Sequence, residues 1–353
     1  MVRGRLHGIA RYALELARHL PRLAPGWDFV GLTGPEGLTE LGPLAPSIAL
    51  ERCPVSFLSP LEQPAYLASL LRLRVDAFHA TSFSLPGLWP GALIATLHDA
   101  NHLARKEDYG LGRSAYYRLI VGPRARAAKA LVTVSEFSRR ELAQHLGLNP
   151  FRLQVIPQGV DPRFARPSSD AIAQLRGRLG LPAEFALTVG NAKPFKNLAL
   201  LAKLAPSLPL PLVVLAGSEA RGLGFPDSTR LLDQVSEVDL PTLYGAARML
   251  LFPSTYEGFG LPALEAMACG CPVVAAHAGS LPEVVGDAGL LVPPQDTAAW
   301  LDAVKTLQLK LPLREQLIDR GLERAARYGW EACARKTLAV YARVLGQPMA
   351  QSV

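Results

Sequence analysis

The chain has 353 residues, more than a single core ordinarily holds, so two domains are expected. With 49% hydrophobic and 19% charged residues it is globular rather than disordered, and no apolar run approaches the roughly 18 residues of a membrane span. A formal net charge of +7 points to an acidic partner; no nucleic-acid motif is visible, which leaves an acidic membrane surface or a phosphorylated substrate.

Near the start, Arg5-Leu6-His7-Gly8 precedes a helix with Ile9, Ala13, Leu16 and Leu20 on one face. Arg11, Glu15, Arg18 and His19 interrupt any apolar signal-peptide core, so a cytoplasmic protein is expected, in keeping with reduced thiols at Cys53, Cys269, Cys271 and Cys333 that show no metal-finger spacing. Strand-like runs follow at Phe29 to Leu32, Ala77 to Ala80, Leu93 to Leu97, Leu131 to Val134 and Leu153 to Ile156. His98, with Asp99 beside it, ends the run from Ala92 to Leu97 at the C-terminal end of a strand, as a cleft residue or a structural one. From Arg113 to Lys129 the chain carries Arg113, Arg118, Arg124, Arg126, Lys129, Tyr116 and Tyr117, which suits either a helix resting on anionic lipid or a solvated helix face. Ser135 follows a strand, and Ser138 with Glu141 fits a capping box for the next helix.

Pro157-Gln158-Gly159-Val160-Asp161-Pro162, then Arg166-Pro167-Ser168-Ser169-Asp170, reads as a linker between two α/β halves. The second half alternates again, with strands at Phe185 to Val189, Leu212 to Ala216, Met249 to Phe252, Val273 to Ala275 and Gly289 to Val292. Lys193 and Lys196 follow the strand that ends near Gly190 and precede a helix opening at Asn197, where two ammonium groups and a helix N-terminus can hold a diphosphate or where the lysines are simply solvated. The most informative stretch is Glu257-Gly258-Phe259-Gly260-Leu261-Pro262, with Glu265 on a helix that reads from Ala263 to Cys269 and stops at Gly270. One carboxylate lies in a loop at the C-terminal end of a strand and the other on the helix that follows, where open parallel sheets bind ligands. Amides for an oxygen-rich anion and acids for hydroxyl groups suit a sugar joined to a phosphate, whereas the bland reading is a Gly/Pro turn before a surface helix. The last helix, Trp330 to Leu345, has Leu338, Tyr341 and Leu345 on its apolar side and can cross back to the first domain.

These residues resemble the retaining nucleotide-sugar glycosyltransferases of family 4. The likeness runs from Gly8-Ile9-Ala10-Arg11-Tyr12 to the final helix and is most specific at Pro253 to Pro262 continuing to Glu265, then at Gly190 to Asn197. Within the family, His98-Asp99 and Val134-Ser135-Glu136-Phe137-Ser138 are similar to the bacterial mannosyltransferase branch. The resemblance implies an α/β, GT-B fold: two Rossmann-like domains with parallel sheets facing across a cleft. Residues 1–160 would bind acceptor, 161–329 the nucleotide sugar, and 330–353 would return toward the N-terminal domain. These enzymes have a strand before the loop at Gly8, and only seven residues precede it, so either the start is placed too far downstream or the first strand of the N-terminal sheet is missing.

By resemblance, Glu265 accepts from the ribose, Glu257 with the amides of Phe259 and Gly260 holds the sugar, and Gly258 and Leu261 complete that loop. Gly190, Lys193, Lys196 and Asn197 serve the diphosphate, His98 lies near the reacting phosphate, and Gly8 approaches donor and acceptor. The first lysine position is usually Arg in the family, so Lys193 neutralises charge without a bidentate fork. No Asp-x-Asp occurs, and the implied enzyme is a metal-independent, retaining hexosyltransferase without a cofactor, GDP-mannose being the favoured donor and a glycan or lipid-linked hydroxyl the acceptor. A sugar-nucleotide epimerase or phosphorylase on the same fold, or a noncatalytic nucleotide-sugar-binding protein, remain the rivals.

Overall fold

The structure, a computed structural model, describes residues 8–34, 48–53, 55, 61–108 and 115–347. Arg5-Leu6-His7, any strand before Gly8, and Arg113 lie outside these. The chain divides into two compact units, Met1–Gly159 with Gly329–Val353, and Val160–Tyr328. No helix among the described residues is long and apolar enough to cross a membrane.

In the first unit, β3 (Ala77–Ala80), β4 (Ala92–Thr96), β5 (Ala130–Thr133) and β6 (Leu153–Val155) lie side by side in chain order, all parallel. β1 (Val30–Thr33) and β2 (Ala49–Arg52) form a separate parallel pair. Every residue of β5 is buried, as expected of a parallel strand covered on both faces. Over this sheet the first helix, Gly8–Leu23, packs against the last, Trp330–Leu345. Its buried side is centred on Tyr12, Leu16 and Leu20 and includes Arg11 and Glu15, while Ile9 and Ala13 sit at its margin. Leu16 and Leu20 face inward as the pattern expects, and in place of Ile9 and Ala13 the buried side takes in Tyr12, whose hydroxyl lies 3.0 Å from Thr96 Oγ1.

The second unit has one six-stranded parallel sheet in the order β12-β11-β10-β7-β8-β9, formed by β7 (Ala186–Val189), β8 (Leu212–Leu215), β9 (Arg230–Leu232), β10 (Met249–Phe252), β11 (Val273–Ala276) and β12 (Gly289–Val292). β8, β10 and β11 are buried along their whole length. The chain builds outward from β7 to β9, returns to the other side of β7 as β10, and builds outward again to β12. That reversal creates a topological switch point between β7 and β10, whose facing residues include Met249 with Ala186 and Leu250 with Leu187. Helix Leu261–Ala268 follows β10 and packs on helix Leu311–Ala326.

Candidate active site

At the switch point two loops leave the sheet together. The loop after β7 starts at Gly190, whose N–H donates to Leu215 O at 3.0 Å, and turns through a 3₁₀ segment, Pro194–Lys196. Asn197 follows in the left-handed region, with φ +54°, and its Nδ2 donates to Pro294 O at 3.0 Å, so its side chain braces the loop and does not cap the next helix. The loop after β10 is fastened to the first one by Thr255, whose N–H and Oγ1 donate to Phe195 O at 2.8 and 3.2 Å.

This double tie brings Lys196 Nζ to 2.6 Å from Glu257 Oε1, with side chains only 15% and 12% exposed. The ammonium also lies 5.5 Å from the Phe195 ring centroid and 5.6 Å from that of Phe252, within cation–π range. Lys193 is exposed, with its Nζ 5.9 Å from the Phe195 centroid. The two lysines are therefore unlike: one is gathered into an apolar, acidic corner and the other stands at its rim.

The turn beyond Glu257 is held from the neighbouring strand. Ser280, fully buried after β11, donates from Oγ to Phe259 O at 2.7 Å and from N–H to Glu257 O at 3.2 Å. Gly279 lies so close that a Cβ there would meet Glu257 N at 2.8 Å, with φ +62° besides. Gly260 takes φ +98°, a conformation that lets the chain turn from Phe259 directly into the helix starting at Leu261. Glu265, on the first turns of that helix, is buried and accepts from the Tyr244 hydroxyl at 3.2 Å. Burial, and then the Glu265 charge, raises the Tyr244 pKa well above its usual value, so the phenol remains a donor. Tyr244, Thr255, Gly279 and Ser280 were not singled out from sequence; the last two could have been found by asking which loop leaves the strand beside β10.

In the first unit His98 follows β4. Its Nε2 lies 3.0 Å from Thr81 O and its Nδ1 3.1 Å from Gln158 Nε2, and its ring meets that of Tyr12 edge-on at 5.0 Å. Burial lowers its pKa to about 4. Gly8 is the exposed first residue of the opening helix. The expected capping box at Ser138 is corrected: Ser135 is the cap of helix Glu136–Leu146, extended at φ −155° and accepting from Ser138 N at 3.0 Å. β5 ends at Thr133, so the chain enters the helix three residues earlier than the Ser138–Glu141 spacing suggests. Of the residues singled out from sequence, Gly190, Lys193, Lys196, Asn197, Glu257, Gly258, Phe259, Gly260, Leu261 and Glu265 share the second unit's strand-end loops, while Gly8 and His98 belong to the first unit. Among the described residues no three His, Cys, Asp or Glu side chains gather as a metal site would require.

Two family descriptions match the chain: Glycosyltransferase Family 4 over residues 6–164 and Glycosyl transferases group 1 over residues 175–324. The chain is 32% identical to the O-antigen chain mannosyltransferase B of Escherichia coli over 284 residues, 75% of this chain and 73% of that one. It is 36% identical over 253 residues to the D-inositol 3-phosphate glycosyltransferase of Kineococcus radiotolerans, 62% of this chain and 58% of that one. The crystal structure of Anabaena HepE in complex with UDP and glucose superposes with a TM-score of 0.79 at 20% identity, covering 97% of this chain and 98% of that one, a likeness of GT-B fold.

Proposed function

The chain belongs to the group 1, family 4 glycosyl transferases, and on that premise we propose that it is a retaining, metal-independent hexosyltransferase. It moves a hexose, mannose by preference, from a nucleoside diphosphate sugar to a hydroxyl of a glycan or lipid-linked acceptor. The observation that carries this reading is the Lys196–Glu257 pair at the switch point, where a cation for phosphate and an acid for sugar hydroxyls are held 2.6 Å apart. When the donor enters, Lys196 exchanges the carboxylate for a phosphate oxygen, and Glu257 becomes free to accept from the sugar. The mannose preference draws on the Escherichia coli mannosyltransferase, and the nucleotide-sugar donor on the HepE complex with UDP and glucose.

In the reaction the bond from the anomeric carbon to the phosphate oxygen breaks, its electron pair stays on the phosphate, and the acceptor oxygen bonds to the same face of the carbon. The acceptor proton passes to the departing phosphate. Lys193 and Lys196 stabilise the charge that grows on that leaving group, a role in which one preorganised group is worth about 3 to 4 kcal/mol. Glu265 accepts from the ribose hydroxyls, and the amides of Phe259 and Gly260 face the sugar. The exposed basic residues Arg118, Arg126 and Lys129 supply a contact for anionic lipid at the inner face of the cell membrane. The test is a panel of nucleotide sugars, GDP-mannose and UDP-glucose among them, scored for nucleoside diphosphate release with and without lipid extract. Release from none of them, by a folded protein, would overturn the reading.

A further inference from the structure

Gln158, Thr81 and His98 come together although they lie far apart in the chain. A carbonyl oxygen can only accept, so the contact at 3.0 Å between His98 Nε2 and Thr81 O fixes the ring proton on Nε2. Nδ1 then carries a lone pair, and it is filled by the Gln158 carboxamide N–H at 3.1 Å. Gln158 is only 5% exposed, and at the next residue, Gly159, a Cβ would lie 2.2 Å from Trp330 N, so the chain there passes too close to Trp330 for any residue but glycine. The titratable groups around the ring are Tyr12, edge-on at 5.0 Å, and His79 on β3, while Asp99 turns its Oδ1 to Asn101 N at 2.9 Å.

We infer that Gln158 is a positioning residue which closes the Nδ1 lone pair of His98 while Thr81 O holds the proton on Nε2, so that the neutral ring offers no basic nitrogen to the reaction. The inference rests on the proposed transferase reading and on the family resemblance that sets His98 near the reacting phosphate. Both the lone-pair and the N–H position of His98 are already occupied, which agrees with the proposed step in which the proton leaves with the phosphate.

Two variants test it. Gln158→Leu removes the donor, so nitrogen NMR of labelled histidine should show the His98 Nδ1 signal move to that of an unbonded imine nitrogen while Nε2 keeps its proton on Thr81 O. Turnover of GDP-mannose or UDP-glucose, read as nucleoside diphosphate release, should fall roughly tenfold with little change in KM. Gln158→Glu places a carboxylate at Nδ1, which requires a second ring N–H; His98 should then titrate between about pH 6 and 8, where the parent ring does not, and the activity profile should gain a limb in that range. Melting midpoints identify a variant that has merely failed to fold, and the other variant then decides. An unchanged His98 spectrum in both variants would overturn the inference, as would parental turnover once Nδ1 has lost its donor. If the parent releases nucleoside diphosphate from neither sugar nucleotide, the transferase reading fails, and the spectrum alone decides whether Gln158 closes Nδ1.

Discussion

Replacing Glu257 by Gln separates charge from shape at the proposed donor site. At 2.6 Å and an effective dielectric constant near 20, the attraction between Lys196 and Glu257 is about 6 kcal/mol before desolvation. With 15% and 12% of the side chains exposed, both ions have left most of their water, which takes back several kcal/mol. A glutamine oxygen can still accept from Nζ, so Glu257→Gln is expected to lower unfolding free energy by only about 1 to 2 kcal/mol. Lys196→Met instead strands a largely buried carboxylate and should cost about 2 to 3 kcal/mol, of which the double variant recovers part.

Binding should respond with opposite signs. On the proposed reading, a phosphate reaches Lys196 in the parent only by displacing Glu257, and approaches a carboxylate as it does so. Removing that charge is expected to tighten GDP or UDP roughly fivefold, about 1 kcal/mol, while turnover of the nucleotide sugar falls because the acceptor for its hydroxyls is weaker. Lys196→Met should weaken the same nucleotides at least tenfold, since a charged donor to phosphate is worth about 1.5 to 3 kcal/mol. Titration calorimetry with GDP and with UDP, beside urea unfolding, reads both effects. A Glu257→Gln variant that loses nucleoside diphosphate affinity as Lys196→Met does would refute the exchange of partners.

Glu265→Gln should weaken GDP or UDP and the corresponding nucleotide sugar alike, by roughly tenfold, because ribose is common to both; an effect confined to the sugar nucleotide would remove the ribose assignment. Burial lowers the His98 pKa to about 4 and, with His98 beside it, that of His79 to about 3, against about 6.5 unfolded, so the unfolded chain binds more protons between those values. Their contribution to stability is therefore complete above about pH 6.5 and is lost as pH falls toward 4, and His98→Gln should flatten that part of the urea-midpoint profile. Sedimentation with phosphatidylglycerol vesicles should rise with anionic content, fall with salt and drop in an Arg118→Glu, Lys129→Glu variant; equal sedimentation with neutral phosphatidylcholine vesicles would leave that stretch a solvated face.

What could be read from the sequence was what local burial writes into it. Met249–Phe252 and Leu212–Leu215 are runs of apolar residues between turn formers, and parallel strands covered on both faces must be so. Ala49–Arg52 and Arg230–Leu232 escaped because each lies at a sheet edge, is three or four residues long, and carries charge where the core asks for none. The candidate site divides along the same line. Lys196 was legible from its place between a strand ending near Gly190 and a helix N-terminus, and Glu257 from a strand-end loop beside Gly258, yet their ion pair spans 61 residues and depends on Thr255 reaching the Phe195 carbonyl. No spacing rule encodes such a contact; it exists because β7 and β10 become neighbours when the chain reverses across the sheet. The bond between Gln158 and His98, 60 residues apart, arises in the same way, from a linker brought back beside β4. Residue chemistry therefore indicated which groups could act, and the topology decided which of them restrain one another. On the proposed reading the pairing matters for function, because a lysine already held by a carboxylate must exchange partners before it serves a phosphate.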